Sequence, residues 1–444
     1  MPLPELIEIV PLDKPVQAEI TVPGSKSITN RALVLAALGE GETALHGALW
    51  SEDTQVMVEC LQEIGFMVNV EDDPQERCNR TITVYGKGGE VPRGGTEAQP
   101  SELFVGNAGT AARFLAAMVC LGKGVYRLHG VPRMHERPQA PLFQALRELG
   151  YRIESPNDKL PALIHGAGPR AAKCQVSIDE SSQFASALLL CADAGTWHVT
   201  VSGENAEESP YVAMTSKLIA AFPHCGGRFQ VEPDASSASY FWAAGFLLSY
   251  REPLQLVRNQ TMPFAARTYA PASAVTVKGG PATDWQVDAA FPRFLVQTEV
   301  VSRRTDLGDS IMTATVLAPF LVNPVRFTDL ARLRVQECER VAALRTELTK
   351  CGAKVEEAGD TLTVFPSQLH GAEIETYNDH RMAMCFAILG LKVPGIRLQN
   401  PACVKKTFPN FFQKMATRPP HGLGAAILDG RSRRLLSEAE LFAE

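Results

Sequence analysis

PGSKSITNRALVLAALG, residues 23–39, opens with small polar residues, carries Lys26 and Arg31 within two turns, and runs on as small apolar residues to Gly39. The polar opening suits a helix N-cap, and an apolar run with no polar stripe suits a helix buried on all sides. The pattern recurs five times: GNAGTAARFLAAMVCLG (106–122), DESSQFASALLLCADAG (179–195), PDASSASYFWAAGFLLS (233–249), LGDSIMTATVLAPFLV (307–322) and YNDHRMAMCFAILGLKV (377–393). Between these runs lie β-rich pieces such as LIEIVPL, AEITVPG, RTITVYG, CQVSIDE, WHVTVSG and DTLTVFP, with amphipathic stretches such as DTQVMVECLQEIGF and AALRTELTKCG. Each unit therefore reads as strands with one buried and one exposed helix, which predicts an α/β (α+β) fold built from six repeats. At 444 residues the chain exceeds one compact core and divides into two or three domains.

The bulk composition narrows the function. Hydrophobic residues make up 45% and charged residues 21%, the balance of a soluble globular protein. No apolar run is long enough for a transmembrane helix, and the N-terminus lacks the basic-then-apolar order of a secretory signal, so neither membrane nor export is expected. A net charge of −6 with dispersed Lys and Arg argues against a nucleic-acid surface. The ten cysteines form no CxxC pair, which argues against a zinc or redox site and fits reduced thiols in a cytoplasm. Cys338 and Cys403 stand out only because they adjoin charged motifs.

A helix start exposes unpaired N–H groups and a partial positive charge, so several starts facing one cleft would suit a substrate rich in carboxylate and phosphate. Basic residues stand near those starts: Lys26 and Arg31; Arg133 and Arg137 in VPRMHERPQAPL; Arg340 in LRVQECERVAALRTEL; Arg381 in ETYNDHRMAMCF; and Lys405 and Lys406 in CVKKTFPNFF. In GNAGT, glycines let backbone approach a ligand, and Ser181, Ser182 and Gln183 offer neutral donors. Reading LRVQECERVAALRTEL as one amphipathic helix puts Glu337 and Arg340 on one face. Five cations, Lys26, Arg133, Arg340, Arg381 and Lys406, stand against a few acids, Asp309 and Glu337 among them, a set suited to a small polyanion and acid–base chemistry. Taken singly, each position reads more simply as a surface ion pair or a helix cap.

The motifs in series, PGSKSITNRAL, LFVGNAGTAARFL, PRMHERP, SSQ, DASSASYF, NDHRMAM and KTFP, resemble the EPSP synthase family, in order and across nearly the whole chain. The resemblance implies two domains of βαβαββ-type units closing on a cleft. Residues 1–23 with 233–444 would form one domain and 24–232 the other, with a C-terminal extension over 416–444. It implies transfer of the enolpyruvyl group of phosphoenolpyruvate to a ring hydroxyl of a shikimate-type cyclohexene carboxylate. The phosphoenolpyruvate ligands would be Lys26, Gly109, Arg133, Gln183, Arg340, Arg381 and Lys406. Asp309 would be the base on the acceptor hydroxyl, and Lys26 and Glu337 the proton donors. No cofactor or metal is implied, and the partners would be small molecules bound by a monomer.

The acceptor side departs from the family pattern. Ser27, Arg31, Ser181, Ser182, Gln183, Tyr211 and Asp309 match, but Glu208 stands where the family has a phosphate-binding serine. Gln336 stands for a phosphate-pairing lysine, Arg332 for an asparagine, and the segment from about Arg251 to Arg304 matches least. A carboxylate near a dianionic phosphate costs about a few kcal/mol. The leading expectation is therefore an acceptor lacking the 3-phosphate. An EPSP synthase acting on 3-phosphoshikimate stands as the alternative, followed by a lyase or dehydratase acting on a shikimate-type acid.

Overall fold

A computed structural model of the chain describes residues 3–203, 209–249, 274–295 and 299–443. All six expected runs are buried helices: Lys26–Leu38, Gly109–Met118, Ser182–Gly195, Ala235–Ser249, Ile311–Leu317 and His380–Gly390. The first three pack on one another inside a core drawn from residues 28–231. The last three do the same inside a second core, drawn from residues 3–22 and 238–443. Small side chains explain this arrangement: a helix of Ala, Gly, Ser and Leu can be approached from every side, so sheets and partner helices surround it.

The sheets are short and mixed. In the first core, Ser101–Phe104, helix Gly109–Met118, Lys123–His129, helix Ala140–Glu148, Arg152–Glu154 and Ala162–Ala167 follow one another as βαβαββ and form one four-stranded sheet. In the second, Val300–Ser302, helix Ile311–Leu317, Val325–Thr328, helix Arg340–Lys350, Val355–Ala358 and Thr361–Val364 repeat the order. A parallel pair in each sheet comes from the strands flanking the buried helix, as a strand–helix–strand crossover requires.

The chain passes between the cores twice, and the two passages run side by side. Ser25 donates its N–H to the Glu232 carbonyl at 2.8 Å and Asp234 donates to Pro23 at 2.9 Å, with a bridge between Gly24 and Pro233. Position 24 admits only glycine, because a Cβ there would stand 2.0 Å from the Gly47 carbonyl oxygen.

One sequence expectation changes. LRVQECERVAALRTEL is not one helix: Ala331–Val335 forms a 3-10 turn, and the α-helix begins at Arg340, with the Glu339 carboxylate accepting from Ala342 N at 2.7 Å. That cap halts the helix before Glu337. The C-terminal stretch packs into the second core. Ile427–Asp429 pairs with Leu6–Ile9, and Leu423, Leu436 and Leu441 are buried in the second core.

Candidate functional site

The six helix starts do not share one capping chemistry. Ser181 accepts from Gln183 N at 3.2 Å, Asp234 from Ser237 N at 2.8 Å and Asp379 from Arg381 N at 2.8 Å. The starts at Ser25, Ala108 and Ser310 have no side-chain cap. These ends, with the loops beside them, enclose a cavity of about 120 Å³ between the two cores. Eight cationic side chains line it, Lys26, Arg31, Arg113, Arg137, Arg303, Arg332, Arg340 and Arg381, against four carboxylates, Glu180, Asp234, Asp309 and Glu337. The excess of positive charge in a buried volume fits a substrate pair with several negative charges.

At one end the charges alternate. Lys26 Nζ lies 3.0 Å from Asp53, whose other oxygen is 3.8 Å from Lys406. Lys406 pairs with Glu337 at 3.1 Å and donates to the Asn107 carbonyl at 3.2 Å. Glu337 pairs with Arg340 at 2.8 Å, and Arg340 with Asp379 at 2.7 Å. Burial alone would raise the Glu337 carboxyl, but Lys406, Arg340 and Arg137 outweigh it and hold it well below the usual carboxylate range. Arg340 is likewise held above the ordinary arginine value, burial being overcome by Asp379, Glu337 and Asp309.

Asp309 occupies the middle. Burial would raise its carboxyl, yet Arg381 at 3.0 Å, Arg303 at 3.1 Å and Arg340 at 3.9 Å hold it far below its usual range. The backbone on either side is pinned by Asp288, which accepts from Gly308 N at 2.7 Å and Ser310 N at 3.2 Å and also takes the Ser310 and Ser236 hydroxyls.

The other end presents hydroxyls and fixed guanidiniums. Arg31 donates to Thr215 at 2.8 Å, Ser186 at 2.9 Å and the Ser27 carbonyl at 2.8 Å, and burial pushes it down to about 10. Ser27, Ser181, Ser182, Gln183 and Tyr211 also face the cavity, and burial, then Asp309 and Asp288, push the Tyr211 hydroxyl up. Arg332 donates to the Ile178 carbonyl, and burial followed by the nearby Arg303 charge pushes it down to about 10. A second chamber of about 690 Å³ adjoins this end and shares Tyr211, Arg303 and Arg332 with the cavity.

Most expected residues meet here, with specific corrections. Arg133 does not line the cavity: Glu136 holds it at 2.6 Å on the outside, and it donates to the Gln336 carbonyl across the cleft at 3.1 Å. Arg137 of the same loop lines the cavity instead. Gly109 leaves room for two of the lining guanidiniums, since a Cβ would stand 2.4 Å from Arg113 Nη1 and 2.6 Å from Arg137 Nη2. Gln336 lines the cavity, with its side-chain oxygen accepting from Arg340. Glu208 lies outside the described residues, as does part of the poorly matching segment, 250–273 and 296–298. Burial and Asp379 push the Cys338 thiol up, and burial pushes Cys403 up to about 12, the behaviour of thiols held in their protonated form.

Sequence reasoning missed Asp53, Arg113, Asp288 and Arg303. Asp53 could have been noticed as an acid opening a helix two residues after a strand, in WSEDTQ. Arg113 reads as a lone cation inside an apolar helix, a weak but usable sign. Nothing local marks Asp288 or Arg303.

Two buried three-helix cores closing on a cationic cavity define an enolpyruvyl-transferase fold. An EPSP synthase structure from Acinetobacter baumannii aligns over 95% of this chain and 99% of its own, with a TM-score of 0.68 and 21% identity. The enolpyruvyl transferase NikO from Streptomyces tendae aligns over 96% and 99%, with a TM-score of 0.64 and 17% identity. The family described as EPSP synthase (3-phosphoshikimate 1-carboxyvinyltransferase) matches residues 11–225 and 223–415. A curated 3-phosphoshikimate 1-carboxyvinyltransferase of Trichormus variabilis is 37% identical over 92% of this chain and 98% of its own length. One of Laribacter hongkongensis is 38% identical over 93% and 99%. The chain belongs to the EPSP synthase family and is an enzyme of the carboxyvinyltransferase class.

Proposed function

We propose that the enzyme transfers the enolpyruvyl group of phosphoenolpyruvate to a ring hydroxyl of 3-phosphoshikimate, the acceptor named for its curated relatives. The observation that carries this reading is the pair Arg303 and Arg332 facing the cavity at the end that holds Ser181 and Ser182. Gln336 removes one cation from that end in sequence terms, which favours a phosphate-free acceptor. Two guanidiniums arriving from other backbone positions restore the charge, and their mutual repulsion is what a bound dianion would relieve. The phosphorylated acceptor therefore replaces the phosphate-free one as our reading.

Phosphoenolpyruvate would sit at the Lys26–Asp53–Lys406–Glu337 end, held by Lys26, Arg137, Arg340, Arg381, Lys406 and Gln183, with backbone from Gly109. Ser27, Arg31 and Tyr211 would meet the acceptor's carboxylate and ring. Asp309 takes the hydroxyl proton as the oxygen bonds to C2, and C3 receives a proton from Lys26 or Glu337. The tetrahedral adduct then loses phosphate, and C3 gives back a proton as the double bond re-forms. Glu337 is ionised in the arrangement described here; the incoming anion raises its proton affinity by taking over Lys406 and Arg340. The fixed arginines stabilise charge at the reacting carbon, and closure keeps water from the adduct.

The test is phosphate release from phosphoenolpyruvate with 3-phosphoshikimate and, separately, with shikimate, each product read by mass. Turnover is expected with the phosphorylated acceptor, at a kcat/KM at least about 10²-fold above shikimate, the scale set by losing a buried charged contact. Efficient turnover of shikimate with none of 3-phosphoshikimate would sink the reading.

A further inference from the structure

Asp309 is placed to be the acceptor's base, yet as arranged it has little affinity for a proton. Three guanidiniums share it, and they are not equivalent. Arg340 is anchored by Asp379 and Glu337, and Arg381 also reaches the Tyr240 hydroxyl at 3.4 Å. Among the described residues, the Arg303 guanidinium has Asp309 as its hydrogen-bond partner, and its Nε is buried with no partner at all. Arg303 is 8% exposed and borders both the cavity and the larger chamber beside it. The Arg332 guanidinium stands nearby, and the Arg303 charge is one of the causes, after burial, that push it down. A buried cation with one anionic partner, an unused donor and a like charge alongside is poised to change partners when a second anion arrives.

We propose that Arg303 couples recognition of the acceptor's phosphate to the strength of the base: without acceptor it clamps Asp309, and the phosphate draws it away, leaving Asp309 free to take the hydroxyl proton. The inference rests on the phosphorylated-acceptor reading above. It gives the discrimination against unphosphorylated acceptors a catalytic part as well as a binding part. An acceptor without the phosphate would enter the cavity and find the base still neutralised. No covalent change is added to the reaction: the hydroxyl proton moves to the Asp309 oxygen that Arg303 vacates.

The test divides the acceptor in two. Native enzyme is assayed with phosphoenolpyruvate and shikimate, with and without phosphite dianion as the detached phosphate. Phosphite is expected to raise kcat/KM for shikimate by about tenfold, within the contribution that one positioned base makes. The response should vanish in Arg303→Met and return in part in Arg303→Lys, which restores a cation without the guanidinium fork. If 3-phosphoshikimate turns over well but phosphite leaves native turnover of shikimate unchanged, the coupling is wrong while the acceptor reading stands. An undiminished phosphite response in Arg303→Met overturns it equally. A native enzyme that prefers shikimate overturns the acceptor reading itself. The native response is measured without any substitution, so a variant that fails to fold does not shield the proposal.

Discussion

His380 is buried at the cavity wall with neither ring nitrogen hydrogen-bonded, and burial, then the Arg381 charge, hold its imidazole well below the usual value of 6.5. Above that pH both folded and unfolded chains carry it neutral. Below it, the unfolded chain takes up a proton that the folded one refuses, so stability falls by about 1.4 kcal/mol per pH unit. His380→Gln should remove that part of the loss. Urea unfolding of both proteins at pH 6.5 and 5.5 should show the native chain losing about 1 kcal/mol more than the variant; equal losses would refute the assignment. Lys26, Asp309, Arg340, Arg381 and Lys406 were legible as residues because cations and acids beside apolar helices are costly without a purpose. Arg133 was misplaced and Arg137 underrated because both stand in one loop, and only the folded chain shows that Glu136 holds the first outside.

Among elements, the helix Gly109–Met118 shows how a backbone position sets side-chain geometry. With no Cβ at position 109, Arg113 can donate to the Gly109 carbonyl at 3.0 Å and to Pro138 at 2.9 Å, while Arg137 reaches Asn107 at 3.1 Å. Gly109→Ala would displace both guanidiniums from these positions, since its Cβ would stand 2.4 Å from Arg113 Nη1 and 2.6 Å from Arg137 Nη2. The expected result is a folded enzyme whose KM for phosphoenolpyruvate rises by about tenfold, as loss of about 1.4 kcal/mol from a charged contact implies. Steady-state kinetics at varied phosphoenolpyruvate checks it; an unchanged KM would remove Arg137 from the proposed donor site. The six buried helices were readable because each carries a polar start and an unbroken apolar run. The break before Arg340 was not, because Glu337 and Arg340 fit helical spacing and only the Glu339 cap interrupts it.

Across the whole molecule, the two cores are tied together away from the cavity by Glu76. Its carboxylate is 4% exposed and takes Lys414 at 2.7 Å, Asn410 at 2.7 Å and Thr21 at 2.7 Å, all from the opposite core's side of the chain. Arg77 beside it stacks 3.9 Å over the Phe442 ring of the tail. Removing one member of a buried pair strands the other, so Glu76→Ala should cost about 3 kcal/mol. Denaturant unfolding should show it, with a larger loss than for Arg77→Ala; no loss would mean that water already serves Lys414.

The sequence by itself determined the repeat and the buried helices, because periodicity and capping act within about a dozen residues and leave a local trace. Only the tertiary structure brought together the guanidiniums beside Ser181 and Ser182. Arg303, Arg332 and Asp288 come from separate stretches and meet through the packing of two cores. A guanidinium's charge acts through distance in space, whatever its place in the chain, and that distance is set by closure of the fold.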